Sequence, residues 1–579
     1  MVTILAYQPA WHGGVLWDDE PHIGGAELRT LDGLRRIWFV PRTTQQYYPL
    51  LHTSFWLQQR LWGDSTTGYH IVNLLLHIGS AVLVLKIVRR LGIPGAELVA
   101  IIFALHPVNV ETVAWIAERK NTLSGVLALA ATLSYLRFDE SRERRSYALA
   151  LGLFVLGLLS KTAIVTLPLA LLAIFWWKRG TISWRRDVVP LIPFLSFSVA
   201  SGLMTRWVEY GNMAYRASIL ALSPIDRCLI AGRAFWFYLW KLMWPANLMF
   251  VYPRWEINAT VWWQYIFPLA FLGLLALLWQ LRRWSRGPLA GVLVYVLLLL
   301  PSLGFANIYF FLYSYVADHW QYLAGLGIIT PCASGIVLLA GQLKSWQPWF
   351  ERGTTVLLAG ALFILTWQQS QTYSNAETLY RTTIARNPVC WLAYGHLVDI
   401  LCQANRIPEA MNLFREELRI KPAEAHFSLG YALFRKGQTS EAIDQYEQAL
   451  RIDPDYADVH NNLASALIMT GRLSEAIDQS KEALRIDPTS SDAHNNLGNA
   501  LAQTGRASEA IDHYKQSLRV NPNSSDTHNN LGAALALMGR TSEAIQELKS
   551  ALRINPNNSD AQNNLTKVEA PQKSSQENK

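Results

Sequence analysis

Charged residues make up only 16% of the 579-residue chain, and it holds just four cysteines. Cys228 and Cys332 lie in apolar stretches, whereas Cys390 and Cys402 would stand ~18 Å apart on one helix at 1.5 Å per residue. A disulfide needs Cα atoms within about 7 Å, so that pair does not bridge. No long basic run accompanies the net charge of +8, which therefore reads as loop bias at a membrane and not as a nucleic-acid surface. Nor does Met1–Ala10 carry the basic start of a signal peptide. It reads as the end of a first helix whose start lies upstream.

About half the residues are hydrophobic, and they are concentrated in residues 69–369 as runs near the length that crosses a ~30 Å hydrocarbon core. Backbone groups in lipid must be satisfied internally, so the runs predict helices. They fall at 69–91, 95–116, 121–138, 146–160, 161–177, 188–207, 227–244, 260–281, 287–304, 321–341 and 353–369. The predicted fold is all-α: a multi-spanning membrane domain over 1–374, a helical solenoid over 375–568, and a disordered polar tail over 569–579.

Lys86, Arg89 and Arg90, Arg137 to Arg145, Lys178 to Arg186, and Arg282 to Arg286 mark the cytoplasmic loops. Strict alternation puts the Arg282 cluster on the wrong side unless 227–244, interrupted by Arg233 and Lys241, lies in the interface or re-enters. With that segment not crossing, the Trp17–Glu20 loop, Asp318-His319 and the C-terminal solenoid share the outer side.

The solenoid declares itself by period. Pro388, Pro422, Pro454, Pro488, Pro522 and Pro556 are 34, 32, 34, 34 and 34 residues apart. Leu463-Ala464, Leu497-Gly498 and Leu531-Gly532 recur between them, followed by Gly471, Gly505 and Gly539. This is the tetratricopeptide pattern of paired antiparallel helices. Asn462, Asn496, Asn530 and Asn564 occupy one helical position, although Asn is a poor helix former. One reading is a ladder of amides gripping an extended acceptor peptide, as in the similar superhelix of the protein O-GlcNAc transferases; the other is a neutral surface residue copied by duplication.

Three patches carry chemistry. Asp18 and Asp19 stand just outside the membrane, where a carboxylate serves as general base or divalent-metal ligand equally well. In His106–Asn121, a continuous helix would place Glu111, Trp115, Glu118 and Arg119 on one face, beside Lys120. Tyr315–Tyr322 brings Asp318 and His319 to an outer helix entrance, and Lys161 interrupts an apolar hairpin. Ionisable groups at such depth are costly and mark function.

The blocks WDDE, LHPVNVETVAWIAERKNTLSG, LSKTAIVTLPLALL and YVADHWQYLAGLG, followed by tetratricopeptide repeats, resemble the transmembrane and tetratricopeptide repeat-containing O-mannosyltransferases and their bacterial relatives. The resemblance implies a C-type glycosyltransferase fold that moves a sugar, mannose in that family, from a polyprenyl-phosphate carrier to a Ser or Thr hydroxyl of an extracytoplasmic protein recruited by the repeats. Asp18 and Asp19 match the acidic motif of the family's first outer loop and are the expected catalytic residues. Glu111, Arg119, Lys120, Lys161, Asp318 and His319 are the expected donor phosphate and sugar contacts. Thr162 stands where that family often has an acid. No nucleotide-binding loop is visible, which agrees with a lipid-linked donor. The simple repeats and the lack of an endoplasmic-reticulum retrieval signal point to a bacterial inner membrane, with the repeats in the periplasm. The rival reading is a membrane-anchored tetratricopeptide scaffold without catalysis. A transporter would show matched broken pseudo-repeats, and none is found in 69–369.

Overall fold

The computed structural model describes residues 1–24, 26–41, 43–213, 222–343 and 347–577. Every regular element among them is helical. Their contacts divide them into two compact units: one from Met1–Ile23, Tyr48–Trp207 and Ile219–Pro388, the other from Gly24–Tyr47, Val208–Ser218 and Val389–Lys579.

In the first unit, helix Arg119–Ser141 packs between Thr66–Arg90 and Arg144–Leu158, while Gly287–Leu299 packs between Leu167–Arg179 and Leu326–Gly341. Phe103, Tyr135, Phe154, Phe194, Phe235 and Tyr295 fill the core they share. Among the described residues, four helices are long and apolar enough to cross a membrane: Thr66–Arg90, Thr162–Arg179, Trp184–Val208 and Trp262–Leu281. The bent pair Ala96–Leu105 and Pro107–Ala114 makes a fifth if counted as one span.

That is fewer than the eleven expected runs, for local reasons. The run at 146–160 forms a helix of 15 residues, Arg144–Leu158, closed by a turn that leaves Lys161 extended. The run at 287–304 stops at Leu299, two residues before Pro301, and 321–341 turns helical only from Leu326. Segment 227–244 lies within helix Pro224–Met243, which is opened by a Ser223–Asp226 capping box. It is not among the apolar spans, and its charges find partners: Arg233 lies 4.4 Å over the Trp255 ring, and Lys241 Nζ donates to the carbonyls of Ala246 and Asn247.

Pro107 explains the 49° bend. Pro removes a donor and pushes His106 into an extended conformation, so carbonyls of the preceding turn lose their helical partners. Side chains replace them. Asn109 Nδ2 donates to the Phe103 carbonyl at 2.8 Å, His77 Nε2 lies 3.1 Å from that of Ala104, and Thr366 Oγ1 donates to that of Leu105 at 2.6 Å. A broken helix buried among other helices is tolerated on these terms.

In the second unit, five helix pairs follow one another from Trp391–Gln403 to Thr541–Ile554, and a last helix runs Ser559–Glu577. It continues past 568 into the segment expected to be a disordered tail, of which residues 578–579 lie outside the described part. Each turn within a pair needs a left-handed residue: Gly437, Gly471, Gly505 and Gly539 have φ between +73° and +82°, and Asn405, the residue type next best suited, takes φ +59° in the first repeat. The Gly-or-Ala alternation noted in the sequence is set by the facing helix. A Cβ on Gly430, Gly498 or Gly532 would come within 2.6 to 2.8 Å of Tyr446, Tyr514 or Leu548, whereas Ala464 belongs to the repeat whose equivalent residue is the small Ser480. Helix Leu31–Phe39, capped by Thr30, also belongs to this unit and packs on Thr541–Ile554, with Asn523 Nδ2 donating to Thr43 Oγ1 at 3.2 Å.

This complementarity gives a test. Gly498→Ala should destabilise the solenoid by about 1–3 kcal/mol through overpacking against Tyr514, and Gly498→Ala with Tyr514→Ser should recover part of that loss by recreating the Ala464/Ser480 pair. Urea melts of the detergent-purified chain followed by circular dichroism would read both.

Candidate functional site

The segment from His106 to Asn121 builds the site by breaking twice. Helix Val110–Ala114 ends at Trp115, whose backbone is extended, and a new helix starts at Arg119. The expected continuous helical face through Glu111, Trp115, Glu118 and Arg119 is therefore corrected: the four residues belong to two short arms with a bend between them. Asn73 Nδ2 donates to the Trp115 carbonyl at 3.0 Å, and the Ala117 N–H donates to Asp19 Oδ1 at 2.6 Å.

Asp19 thereby serves the backbone. Its other oxygen accepts from the Leu16 N–H at 2.8 Å, and the side chain is fully buried. Burial pushes its carboxyl well above the ordinary value, while the two N–H bonds pull the other way. Asp18, one residue earlier, is 27% exposed and lies 3.8 Å from Lys120 Nζ and 3.7 Å from His22 Nδ1. His22 also holds the Asp18 carbonyl at 2.8 Å and stacks on His52. The acidic pair thus presents one carboxylate to solvent, Asp18, and uses the other as an internal tie. Among the described residues no three His, Cys, Asp or Glu side chains gather around one point.

Inward from Asp18 a chain of charges continues. Lys120 Nζ is 3.0 Å from Glu118 Oε1, Lys161 Nζ is 3.6 Å from Glu118 Oε2, and His319 lies 3.8 Å from Glu118 and 3.2 Å from Glu111. The backbone N–H of His319 donates to Glu111 Oε2 at 3.1 Å, and Asn121 Nδ2 bridges Glu118 and the His319 carbonyl. Burial alone would raise the Glu118 carboxyl; His319, Lys120 and Lys161 around it hold it well below the usual range. Burial opposes the charge on Lys120, but Glu118 and Asp18 hold its ammonium above the usual value.

Six of the residues singled out by sequence, Asp18, Glu111, Glu118, Lys120, Lys161 and His319, therefore meet in one network. Two do not join it. Arg119 turns to the opposite side, where Nε donates to Asn73 Oδ1 at 2.8 Å and Nη2 to the Tyr69 carbonyl at 2.7 Å, with the guanidinium 4.5 Å over Phe55. The Tyr252 hydroxyl lies 3.0 Å from both Asp318 oxygens and shares its one proton between them, and burial lifts the Asp318 carboxyl to about 7. Sequence reading missed the supports: Asn73, His77, Asn109 and His22 are polar residues in apolar runs or loops, and only Pro107 hinted that broken carbonyls needed them. Nor did it give Trp17 a role beyond the start of the acidic loop. Trp17 adopts φ +23°, stacks on Trp115 at 6.0 Å, and with Phe250, Phe310 and Tyr313 forms an aromatic wall next to Asp18.

In the repeat unit, the Asn positions contact one another. Asn496 Nδ2 donates to Asn461 Oδ1 at 2.9 Å, Asn530 to Asn495 at 3.2 Å and Asn564 to Asn529 at 2.9 Å, while Asn462 donates to the Asp458 carbonyl in its own helix. The preceding His residues tie helix to helix within a repeat: His460 to Gln479, His494 to His513 and His528 to Glu547. The amide donors thus stitch successive repeats together.

Residues 49–207 match the family of dolichyl-phosphate-mannose-protein mannosyltransferases, and segments at 361–425, 430–471, 455–523 and 489–557 match tetratricopeptide repeat families. The chain is 25% identical to a protein O-mannosyl-transferase of Caenorhabditis elegans over 79% of its own length and 62% of that protein. It is also 25% identical to one of Drosophila melanogaster (74% and 62%) and 23% identical to one of Homo sapiens (72% and 50%). It spans between half and 62% of the length of these relatives. A solved tetratricopeptide protein described as having an unusual peptide-binding site, YrrB, is 22% identical and covers 32% of this chain and 96% of its own, at a TM-score of 0.27. The resemblance to membrane O-mannosyltransferases with tetratricopeptide repeats is thus borne out.

The two aspartates should separate in a stability measurement. Asp19→Ala strands two buried N–H donors at about 1–3 kcal/mol each and should lower the melting temperature of the purified chain. Asp18→Asn, at a partly exposed position, should shift stability by only about 0.5 kcal/mol.

Proposed function

We propose that the chain is a membrane glycosyltransferase that moves a sugar, mannose by analogy with its relatives, from a polyprenyl-phosphate carrier to Ser or Thr hydroxyls of an extracytoplasmic protein. The observation that carries this is Asp18: a solvent-facing carboxylate held beside an ammonium at the rim of a buried charge network. In the proposed reaction Asp18 takes the proton of the acceptor hydroxyl as its oxygen attacks the anomeric carbon. The bond from that carbon to the phosphate oxygen breaks, the lipid phosphate leaves with the electron pair, and the configuration inverts. Asp19 does not touch the reactants; it fixes the loop that carries Asp18.

Charge on the leaving phosphate needs cations that are already in place. Lys120 and Lys161 are largely covered, with 12% and 14% of their side chains exposed, and answer to Glu118, which keeps both ammonium groups near one point. Two unit charges ~4 Å apart interact by about 4 kcal/mol at an effective dielectric of 20, against about 1 kcal/mol in water, so placing them at a half-dry site multiplies their effect. Glu111 and His319 orient Glu118 from the inner side. Arg119 and Asp318 hold the fold of the site and not the phosphate. The aromatic wall of Trp17, Trp115 and Tyr313 offers an apolar face for a sugar ring.

The acidic loop and the repeats face the extracytoplasmic side in this reading, by the positions of the basic loops. A bacterial inner membrane is the location we favour. The repeats recruit the acceptor; Asn496, Asn530 and Asn564 each donate between repeats and Asn530 Oδ1 also accepts from Asn529 Nδ2 at 3.3 Å, so the carbonyl oxygens of Asn496 and Asn564 are the ones offered to peptide N–H groups. Catalysis and recruitment are separable, so a scaffold without chemistry is the rival reading.

Membranes holding the chain, incubated with radiolabelled polyprenyl-phosphate mannose, should transfer label to protein. Asp18→Asn should reduce transfer by about 10²–10⁴-fold, the usual worth of a general base, and Lys120→Met should do so through kcat. No transfer from any lipid-linked sugar by correctly inserted protein would favour the scaffold.

A further inference from the structure

A cavity in the first unit lies apart from the charge network, none of whose residues line it. It has a volume of about 460 Å³ and lies among helices Thr66–Arg90, Arg119–Ser141, Leu167–Arg179, Gly287–Leu299 and Leu326–Gly341. Its walls are mostly apolar, and the small residues Ala128, Ala170 and Gly335 are among those that line it. A Cβ on Gly335 would meet nothing within 4 Å. The volume falls within the ~300–1,000 Å³ of ligand pockets.

Depth and charge say what fits. Along helix Leu326–Gly341 the lining runs from Leu326 to Leu338, roughly 18 Å at 1.5 Å per residue, which is a little more than half of a ~30 Å hydrocarbon core. One end is basic. The lining residues Trp177, Leu91, Ser285 and Gly287 adjoin Lys178, Arg90 and Arg286 in sequence. Lys178 and Arg90 share a single acid, Glu140. Arg286 lies over Gly180 and has no carboxylate partner among the described residues. An apolar slot one leaflet deep, with an excess of positive charge at its mouth, matches a lipid with a long alkyl chain and an anionic head group.

We propose that this cavity binds an anionic glycerophospholipid of the leaflet on the basic, cytoplasmic side, with one acyl chain in the slot and its phosphate on Arg286. The orientation is that of the proposed function; the binding itself does not depend on catalysis. The site is separate from the donor, whose phosphate is placed at Lys120 and Lys161. The lipid fills a void that would otherwise leave aliphatic walls without contact atoms.

The full chain in detergent, mixed with phosphatidylglycerol carrying a photoreactive group on one acyl chain and with the matching phosphatidylcholine, provides the test. Phosphatidylglycerol should label helices Gly287–Leu299 and Leu326–Gly341 several-fold more strongly. Arg286→Gln should bring that labelling down to the phosphatidylcholine level, Arg286→Lys should keep most of the preference, and Gly335→Leu, which fills the slot, should lower labelling by both lipids. Equal labelling by the two lipids, or label spread over helices outside the cavity, would overturn the proposal. So would displacement of the probe by equimolar polyprenyl phosphate, since that would make the slot part of the donor site.

Discussion

The rim of the charge network depends on one buried carboxylate. Asp19 accepts the N–H groups of Leu16 and Ala117, and so joins the acidic loop to the bend between two helices that lie about a hundred positions later in the chain. Without that tie, Asp18 and Lys120 would sit on separate flexible pieces. With it, a carboxylate and a cation share a rim 3.8 Å across, and the cation is anchored by Glu118. The adjacent aspartates divide: one gives both oxygens to the backbone, and the other meets Lys120 and His22.

Broken helices make such a site possible in an apolar environment. A continuous span would keep the Ala117 N–H for itself. Pro107 and the extended Trp115 release backbone groups, and Asn73, His77, Asn109 and Thr366 take up the carbonyls left behind. Their worth is in avoiding unsatisfied groups, each of which costs about 1–3 kcal/mol when buried. This is why polar residues are scattered through otherwise aliphatic runs at the positions nearest the site.

These facts also mark the limits of what the residues reveal in order. The helical class, the repeat period and the charged block around Glu111 to Lys120 were legible, because hydropathy, spacing and cost of burial leave marks in one dimension. Which way a charge turns does not. Arg119 and Lys120 are neighbours, yet one braces Tyr69 and Asn73 while the other meets Asp18. The bend at Trp115 decides this, and no helical period foretells it. Likewise the Asn positions of the repeats read as a ladder of amides for an extended peptide or as a copied neutral surface residue, whereas three of their amides bond to the adjacent repeat at a separation of 35 residues. Apolar runs also do not foretell where helices break, as at the turn at Lys161 or the late helix start at Leu326.

The central claim is that a lipid-linked sugar is presented between Asp18 and the Lys120–Lys161 pair. Cryo-electron microscopy of the full chain with a non-cleavable polyprenyl phosphonate analogue of the donor tests it most directly. The account predicts the phosphonate within hydrogen-bond distance of Lys120 or Lys161 and the anomeric carbon facing a gap beside Asp18 wide enough for one hydroxyl. A phosphonate held at Arg119 or Asp318, or a sugar placed away from Asp18, would contradict it.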